Sequence, residues 1–160
     1  MKKYGFWIIL LGLTAFNLYL FLPGYLFSET LAERNIRLAG KNGKQLAQVL
    51  EHYRRTGEEQ KERCARFLIA YMDRRAAITY EGIGQKTKIV TPDLLAIRAD
   101  FLIENIDLAF EAWKRYPWCR HLTEDEFCRK LLPYRLKNEK LEGWRKFYYH
   151  KYKEVADSLA

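Results

Sequence analysis

Three cysteines and three histidines are the residues of this 160-residue chain that could support nucleophilic catalysis. A catalytic cysteine needs a neighbouring base that keeps its thiol ionised or accepts its proton during attack. Cys64 falls in an apolar helical stripe, which predicts a buried thiol, and Cys119 follows Trp118 without an identifiable base. The residues therefore predict no Cys-His-Asp nucleophilic site.

Acidic residues on one helical face form a second candidate set, because paired carboxylates can bind metal ions. Helical di-metal sites place a histidine three residues after a ligating glutamate. Asp107 stands three residues after Glu104, and Lys114 three residues after Glu111, so the pattern favours a solvated acidic stripe. We expect no metal ion and no other cofactor, since the residues of zinc-ligand type also lack compact paired spacing: Cys119, His121, Cys128 and His150.

The cysteine count is odd, so the three thiols cannot all pair within the chain. Cys119 and Cys128 are nine residues apart, across a turn that opens a helix. A disulfide between them is sterically conceivable in an oxidising compartment. The alternative is that both are buried thiols, and Cys64 is expected to be a small core residue.

The net charge of +8 permits contact with an anionic surface. Lys2 and Lys3 contribute two of these charges, so the remainder of the chain carries +6. The basic residues of that remainder are dispersed and interleaved with acidic residues. We therefore expect no nucleic-acid partner.

Residues 4–27 contain no charge and directly follow Lys2 and Lys3. A helix that rises about 1.5 Å per residue over such a stretch would cross a hydrocarbon core of roughly 30 Å. Residues 1–28 are therefore predicted to be either an uncleaved signal-anchor or a cleaved signal peptide, with a small-x-small site at Thr30-Leu31-Ala32. Residues 29–160 are then an exported domain, anchored in the inner membrane or released into the periplasm or cell envelope.

The exported part has apolar residues at helical spacing and no convincing strand. Two helices are predicted, one capped by Asn42 and one that starts at Glu58, with a break at Gly57. Residues 73–91 interrupt the pattern and are predicted to be a loop. A central helix is predicted to start at Pro92.

Two more helices follow the stop at Pro117. Thr123 and Glu126 have the spacing of a capping box, and Asn138 is a candidate cap for the last helix. That last helix is predicted to turn a row of mostly aromatic residues inward: Leu141, Trp144, Phe147, Tyr148, Tyr152 and Val155. The predicted fold class is all-α, a small helical domain behind an N-terminal membrane or signal segment.

Residues 113–152 are unusually rich in aromatic residues, with arginines among them. Arginine beside tyrosine and tryptophan is typical of interface hot spots. The alternative is an aromatic core in which the arginines brace the turn at residues 132–134. The candidate interface or brace residues are Trp118, Tyr134, Arg135, Glu139, Trp144 and Arg145.

Several motifs of this region resemble the helical region that precedes the catalytic core in Bacteroidetes transglutaminase-like proteins. The resemblance covers roughly residues 38–152, and its most specific part is the combination of Leu-Pro-Tyr-Arg, Asn-Glu and Trp-Arg. In this chain these motifs and the others that support the resemblance stand at residues 50–53, 64–72, 101–113, 117–118, 126–128, 132–135, 138–139 and 144–145.

The resemblance implies an exported protein whose relatives carry a papain-like Cys-His-Asp core further along the chain. No cysteine here matches that core, so the resemblance transfers no catalytic residue and implies that the chain is not an enzyme. The cysteine that accepts lipid in many family members is also absent. We expect a non-catalytic helical module of the cell envelope that binds a protein or peptide. The alternative is an accessory subunit of a split transglutaminase-like enzyme whose core is encoded separately.

Residues 4–27 are expected to direct the chain to the inner membrane and to place the residues after Ser28 outside the cytoplasm, because Lys2 and Lys3 favour the cytoplasmic side. A reporter enzyme that is active only outside the cytoplasm, fused after Ala160, should therefore be active. Activity of a cytoplasmic reporter at the same position would show that the orientation is reversed.

Overall fold

Helices make up most of the chain that the computed structural model describes, which comprises residues 29–81, 87–135 and 140–160. Leu31–Ala160 forms one compact unit. The described ranges contain seven α-helices and two β-strands: α1 (Leu31–Leu38), α2 (Gly43–Thr56), α3 (Glu59–Ala70), β1 (Ala76–Glu81), β2 (Thr87–Pro92), α4 (Asp93–Ala96), α5 (Ala99–Arg115), α6 (Glu124–Lys130) and α7 (Trp144–Ser158). Helices α2, α3 and α5 pack against one another around a common apolar core.

The break between α2 and α3 is confirmed at Gly57, whose φ of 70° lies in the left-handed region that glycine tolerates best. The Gly57 N–H donates to the Arg54 carbonyl, and the Glu58 N–H donates to the Tyr53 carbonyl. The apolar stripe of α2 is also buried as predicted. Its members are Leu46, Val49, Leu50 and Tyr53.

Asn42 has a different role from the predicted helix cap. Its side chain does not cap α2; its Nδ2 donates to the carbonyls of Leu94 and Ile97 at 3.0 and 2.9 Å. The prediction was wrong because an amide can serve a distant backbone as well as its own helix end. Asn42 thereby ties the start of α2 to the end of α4.

The stretch predicted to be a loop, residues 73–91, contains two strands in its described part, so the all-α class needs correction to mostly helical with a two-stranded sheet in the described residues. Strands β1 and β2 pair antiparallel, from Ala76 opposite Pro92 to Glu81 opposite Thr87. The strand residues are only partly buried or exposed. A strand without a buried face has no strong alternation of apolar and polar residues, and this is why the sequence pattern did not reveal it.

The predicted central helix is two helices, because the backbone becomes extended at Ile97 and Arg98. Pro92 precedes the short α4, and α5 carries the buried stripe that includes Leu102 and Ile106. Leu95 lies on α4, outside that stripe, and is exposed.

The last two helices differ in how well their patterns predicted them. The capping box of α6 is confirmed: the Glu126 N–H donates to Thr123 Oγ1, and Glu126 Oε2 accepts from the Thr123 N–H. Helix α7 begins at Trp144, and its predicted cap, Asn138, lies outside the described residues. The row predicted to face inward is half-exposed or more at Phe147, Tyr148, Tyr152 and Val155.

The polar face of α7, rather than that aromatic row, lies against α5. Tyr149, Lys146 and Arg145 contact Glu111, Glu104 and Asn105 of α5. A hydrophobic pattern alone predicts the wrong face when polar side chains supply the contact.

No helix within residues 29–81, 87–135 and 140–160 is long and apolar enough to cross a membrane. The predicted membrane or signal segment, residues 4–27, lies outside the described residues.

Leu102 and Ile106 have no solvent exposure, so replacing either with alanine should leave a cavity in the core. We expect each variant to lose about 2–5 kcal/mol of unfolding free energy, measured by urea denaturation. Arg98→Ala is the matched control, because the Arg98 side chain is 74% exposed and forms an ion pair with Asp100, which is also exposed. It should change the unfolding free energy by less than about 0.5 kcal/mol. Equal losses in all three variants would contradict the assignment of this core.

Candidate interface and the polar cluster behind it

The carboxylate of Asp93, the first residue of α4, is buried and contacts two of the candidate interface or brace residues, Tyr134 and Arg135. Asp93 has no solvent exposure, and its N–H donates to the Arg75 carbonyl at 3.0 Å. Its Oδ2 accepts from the Tyr134 hydroxyl at 2.7 Å, and its Oδ1 accepts from Arg135 Nη2. Arg135 is itself 2% exposed, so the pair is shielded from water on both sides.

The environment of Asp93 opposes and supports its charge at the same time. Burial raises the pKa of Asp93, whereas the Tyr134 hydrogen bond and the Arg135 guanidinium act to lower it. Burial and the neighbouring Asp93 raise the pKa of Tyr134, so its hydroxyl stays a hydrogen-bond donor. Both oxygens of Asp93 are therefore hydrogen-bonded, which an isolated buried charge could not achieve.

Arg75, in the segment that precedes β1, contacts both Arg135 and Tyr134 of this cluster. Its Nη1 donates to the Arg135 carbonyl at 3.0 Å, and its guanidinium lies 5.5 Å from the centre of the Tyr134 ring. The loop after α6 is thus attached both to the start of α4 and to the entrance of the hairpin.

Arg145 of α7 holds the turn that follows α6. Its Nε donates to Asn105 Oδ1 at 2.8 Å, and its Nη2 donates to the carbonyls of Leu131 and Pro133. Asn105 in turn donates to the Leu132 carbonyl at 2.9 Å. Burial lowers the pKa of Arg145 to about 10, so the guanidinium is still protonated at neutral pH.

The two arginines among the candidate brace residues, Arg135 and Arg145, bind different groups. In the structure Arg145 binds the carbonyls of the turn that follows α6, and Arg135 pairs with Asp93. Glu139 lies outside the described residues.

Trp144 contacts the same loop, because its Nε1 donates to the Tyr134 carbonyl.

The sequence patterns did not indicate two residues of this polar cluster, Asp93 and Asn105. The signal for Asp93 was its position directly after Pro92 at a helix start.

The aromatic region divides into a core half and an exposed half. Trp113 stacks on Phe127 with ring centres 4.1 Å apart, and Phe110 meets Phe127 edge-on at 4.8 Å. Phe127 and Tyr134 are buried. Phe110, Phe127 and Tyr134 therefore belong to the domain core and are not accessible to a partner, and Trp113 is partly buried against that core.

The exposed half forms a groove of 290 Å³ between α5, the 3₁₀ turn Pro117–Cys119 and α7. Trp118 stacks parallel to Tyr116 with centres 4.9 Å apart, and Tyr148 lies parallel to Tyr152 at 6.0 Å. Trp118, Tyr148 and Tyr152 each leave almost half of their surface exposed. We call this surface the aromatic groove; it is lined by Leu108, Ala112, Tyr116, Trp118, Cys119, Trp144, Arg145, Tyr148, Tyr149, Tyr152, Lys153 and Ala156.

Ion pairs close the far end of the aromatic groove. Arg115 donates from Nε and Nη2 to the two Asp157 oxygens at 2.6 and 2.7 Å, and Lys153 Nζ lies 2.6 Å from Asp157 Oδ2. These two cations lower the pKa of Asp157 to about 2. Lys151 adds a positive charge beside the aromatic residues, since its Nζ lies 5.3 Å from the Tyr152 ring centre.

The three cysteines are free and buried. Cys128 Sγ lies 3.2 Å from Cys64 Sγ, whereas Cys119 lines the aromatic groove. Of the two alternatives for Cys119 and Cys128, the structure therefore has the buried thiols. Sequence spacing could not indicate the contact between Cys64 and Cys128, because residues 64 positions apart are brought together only by helix packing.

Within the described ranges, no three histidine, cysteine, aspartate or glutamate side chains come together in a way that could hold a metal ion. No family model, curated protein or solved structure matches the chain. The resemblance to transglutaminase-like proteins therefore stays a prediction.

Arg135→Lys should destabilise the domain, because an ammonium cannot reproduce the direction and the several donors of the guanidinium beside Asp93. We expect a loss of about 1–3 kcal/mol in unfolding free energy.

Asp93→Ala should lower the unfolding free energy by about 3–5 kcal/mol, because it leaves a buried arginine without its carboxylate. Urea denaturation of both variants gives these values.

A double-mutant cycle of Asp93→Ala, Arg135→Met and their combination is the control for this ion pair. The double variant should lose less unfolding free energy than the sum of these two single variants, since neither charge is left without its partner. An unchanged melting temperature in Arg135→Lys would instead indicate that Arg135 has no bracing role.

Proposed function

We propose that this chain is a non-catalytic helical module of the cell envelope that binds a protein or peptide partner through the aromatic groove. The observation that supports this proposal is the exposure of Trp118, Tyr148 and Tyr152 along one concave surface. Large aromatic side chains at the surface contribute strongly to binding when a partner covers them.

The position of these side chains strengthens the proposal. Tyr148 and Tyr152 lie on α7, which Arg145 and Asp157 attach to the rest of the domain, and Trp118 lies in the Pro117–Cys119 turn. A helix and a hydrogen-bonded turn leave side chains fewer conformations than an open loop does, which reduces the entropy lost when a partner binds. The groove is thus suited to recognition more than an equally exposed loop would be.

The chemistry of the groove favours an extended peptide segment with apolar side chains. Its lining is mainly apolar, and a shallow groove of 290 Å³ accommodates a few side chains rather than a whole helix. The neighbouring Lys151 favours a partner with acidic residues at the edge of the contact.

Replacing Trp118 or Tyr152 with alanine should weaken peptide binding by about tenfold or more, because each removes exposed aromatic surface from the groove. Peptides selected from a displayed random library against the purified full chain provide the ligands, and fluorescence anisotropy gives the dissociation constants. Both variants should keep the melting temperature of the wild type, since neither side chain is buried.

Tyr80→Ala is the matched control, because Tyr80 is as exposed as Tyr152 and lies on β1. It should bind the selected peptides as tightly as the wild type. Equal affinity in all variants, or failure to select any peptide, would contradict the proposal. If the groove variants instead lose binding to a separately encoded transglutaminase-like core, the chain is an accessory subunit of that enzyme.

A further inference from the structure

Cys64 and Cys128 face each other where α3 packs against α6. Their Sγ atoms are 3.2 Å apart, and the two residues are 0% and 5% exposed. The sulfur atoms of a disulfide are about 2.05 Å apart, so the two side chains need to approach by only about 1 Å.

The register of the two helices explains why these cysteines meet. Gln60 Nε2 donates to Glu124 Oε2 at 3.1 Å, and Cys64 and Cys128 each lie four residues further along. Four residues are about one helical turn, so both helices run in the same direction along this contact. Arg63 also binds both Glu124 oxygens, at 3.0 Å each, and fixes this register from the solvent side.

The two thiols are not equivalent. The contact with Cys128 and burial raise the pKa of Cys64, while the same contact lowers the pKa of Cys128. Cys128 is therefore the thiol that ionises first, and a thiolate is the nucleophile in disulfide exchange.

We propose that Cys64 and Cys128 form an intramolecular disulfide that joins α3 to α6, and that Cys119 stays a free thiol. The inference goes beyond the proposed function and does not depend on it, since it concerns the packing of α3 against α6. It requires only that the chain meets a disulfide oxidant before these thiols are fully enclosed.

The oxidant is a dithiol–disulfide oxidoreductase or a small disulfide such as oxidised glutathione. The Cys128 thiolate attacks one sulfur of the oxidant, its S–S bond breaks, and one thiol leaves. The Cys64 thiolate then attacks the mixed disulfide at the Cys128 sulfur, and the second thiol leaves. The two protons lost by the cysteines end on the two thiols of the reduced oxidant, so atoms and electrons balance.

Trypsin places the three cysteines in separate peptides, residues 64–66, 116–120 and 121–129. The purified full chain is refolded with oxidised and reduced glutathione, blocked in denaturant and mapped by mass spectrometry without reduction. We expect the peptides 64–66 and 121–129 to be joined, and the thiol count of the denatured chain to fall from three to one. A bond between 116–120 and 121–129, bonds between chains, or three retained thiols would each overturn the proposal.

The variant Cys119→Ser separates this pairing from other oxidation. It should lose both of its thiols in the same buffer, whereas Cys64→Ser and Cys128→Ser should each retain two. Loss of thiols from Cys64→Ser would show that Cys119 competes for Cys128 and would contradict the proposal. The wild-type peptide map decides the matter even if a serine variant fails to fold.

Oxidation should also stabilise the domain, because the bond closes a loop of more than 60 residues in the unfolded chain. The melting temperature of Cys119→Ser should rise by roughly 10 °C on oxidation and fall again with a dithiol reductant. An oxidised protein that melts at the reduced temperature, without the 64–66 to 121–129 link, would exclude the bond.

Discussion

The buried carboxylate of Asp93 is the constraint from which the arrangement of the C-terminal half follows. A charged group without solvent must be met by donors, and here these are Tyr134 and Arg135, more than 40 residues further along the chain. This requirement fixes the loop after α6 against the start of α4. The fixed loop then presents the carbonyls that Arg145 and Trp144 bind, and α7 begins at that point.

Because hydrogen bonds and ion pairs position α7, its residues Tyr148 and Tyr152 are not needed to hold it in place. If apolar contacts held α7, Tyr148 and Tyr152 would be packed against the core, as Trp113 is packed against Phe127. The aromatic groove is thus a consequence of how the helix is attached. Helix α7 is attached through polar contacts on one face and exposes apolar side chains on another. This arrangement leaves a binding surface available without removing side chains from the core.

Local signals in the sequence predicted much of the helical part of the fold. The left-handed Gly57, the Thr123–Glu126 capping box and the buried stripes of α2 and α5 are each determined within a few residues. The hairpin was missed because its strands bury no face. The Asn42 contacts were missed because they span more than 50 residues.

The candidate site was predicted less well than the fold, and for a physical reason. Trp113 and Trp118 are alike in the sequence, yet one is stacked in the core and the other is exposed. Trp113 is on α5 and is covered by Phe127 of α6, whereas Trp118 is in the turn after α5, so the difference depends on where α6 packs. Likewise the partner of Arg135 is a residue on another helix, and a pattern of spacing carries no information about it.

The attachment of α7 has a consequence for how the domain opens. None of its residues is buried, and it is held by Arg145 and Trp144 at one end and by the pair of Arg115 and Asp157 at the other. Separation of this helix would expose little apolar core, so the contacts that hold it are hydrogen bonds and ion pairs, and the exposed pair of Arg115 and Asp157 weakens as ionic strength rises. We therefore expect the amides of α7 to exchange with solvent before those of α2, α3 and α5, whose inner faces are buried.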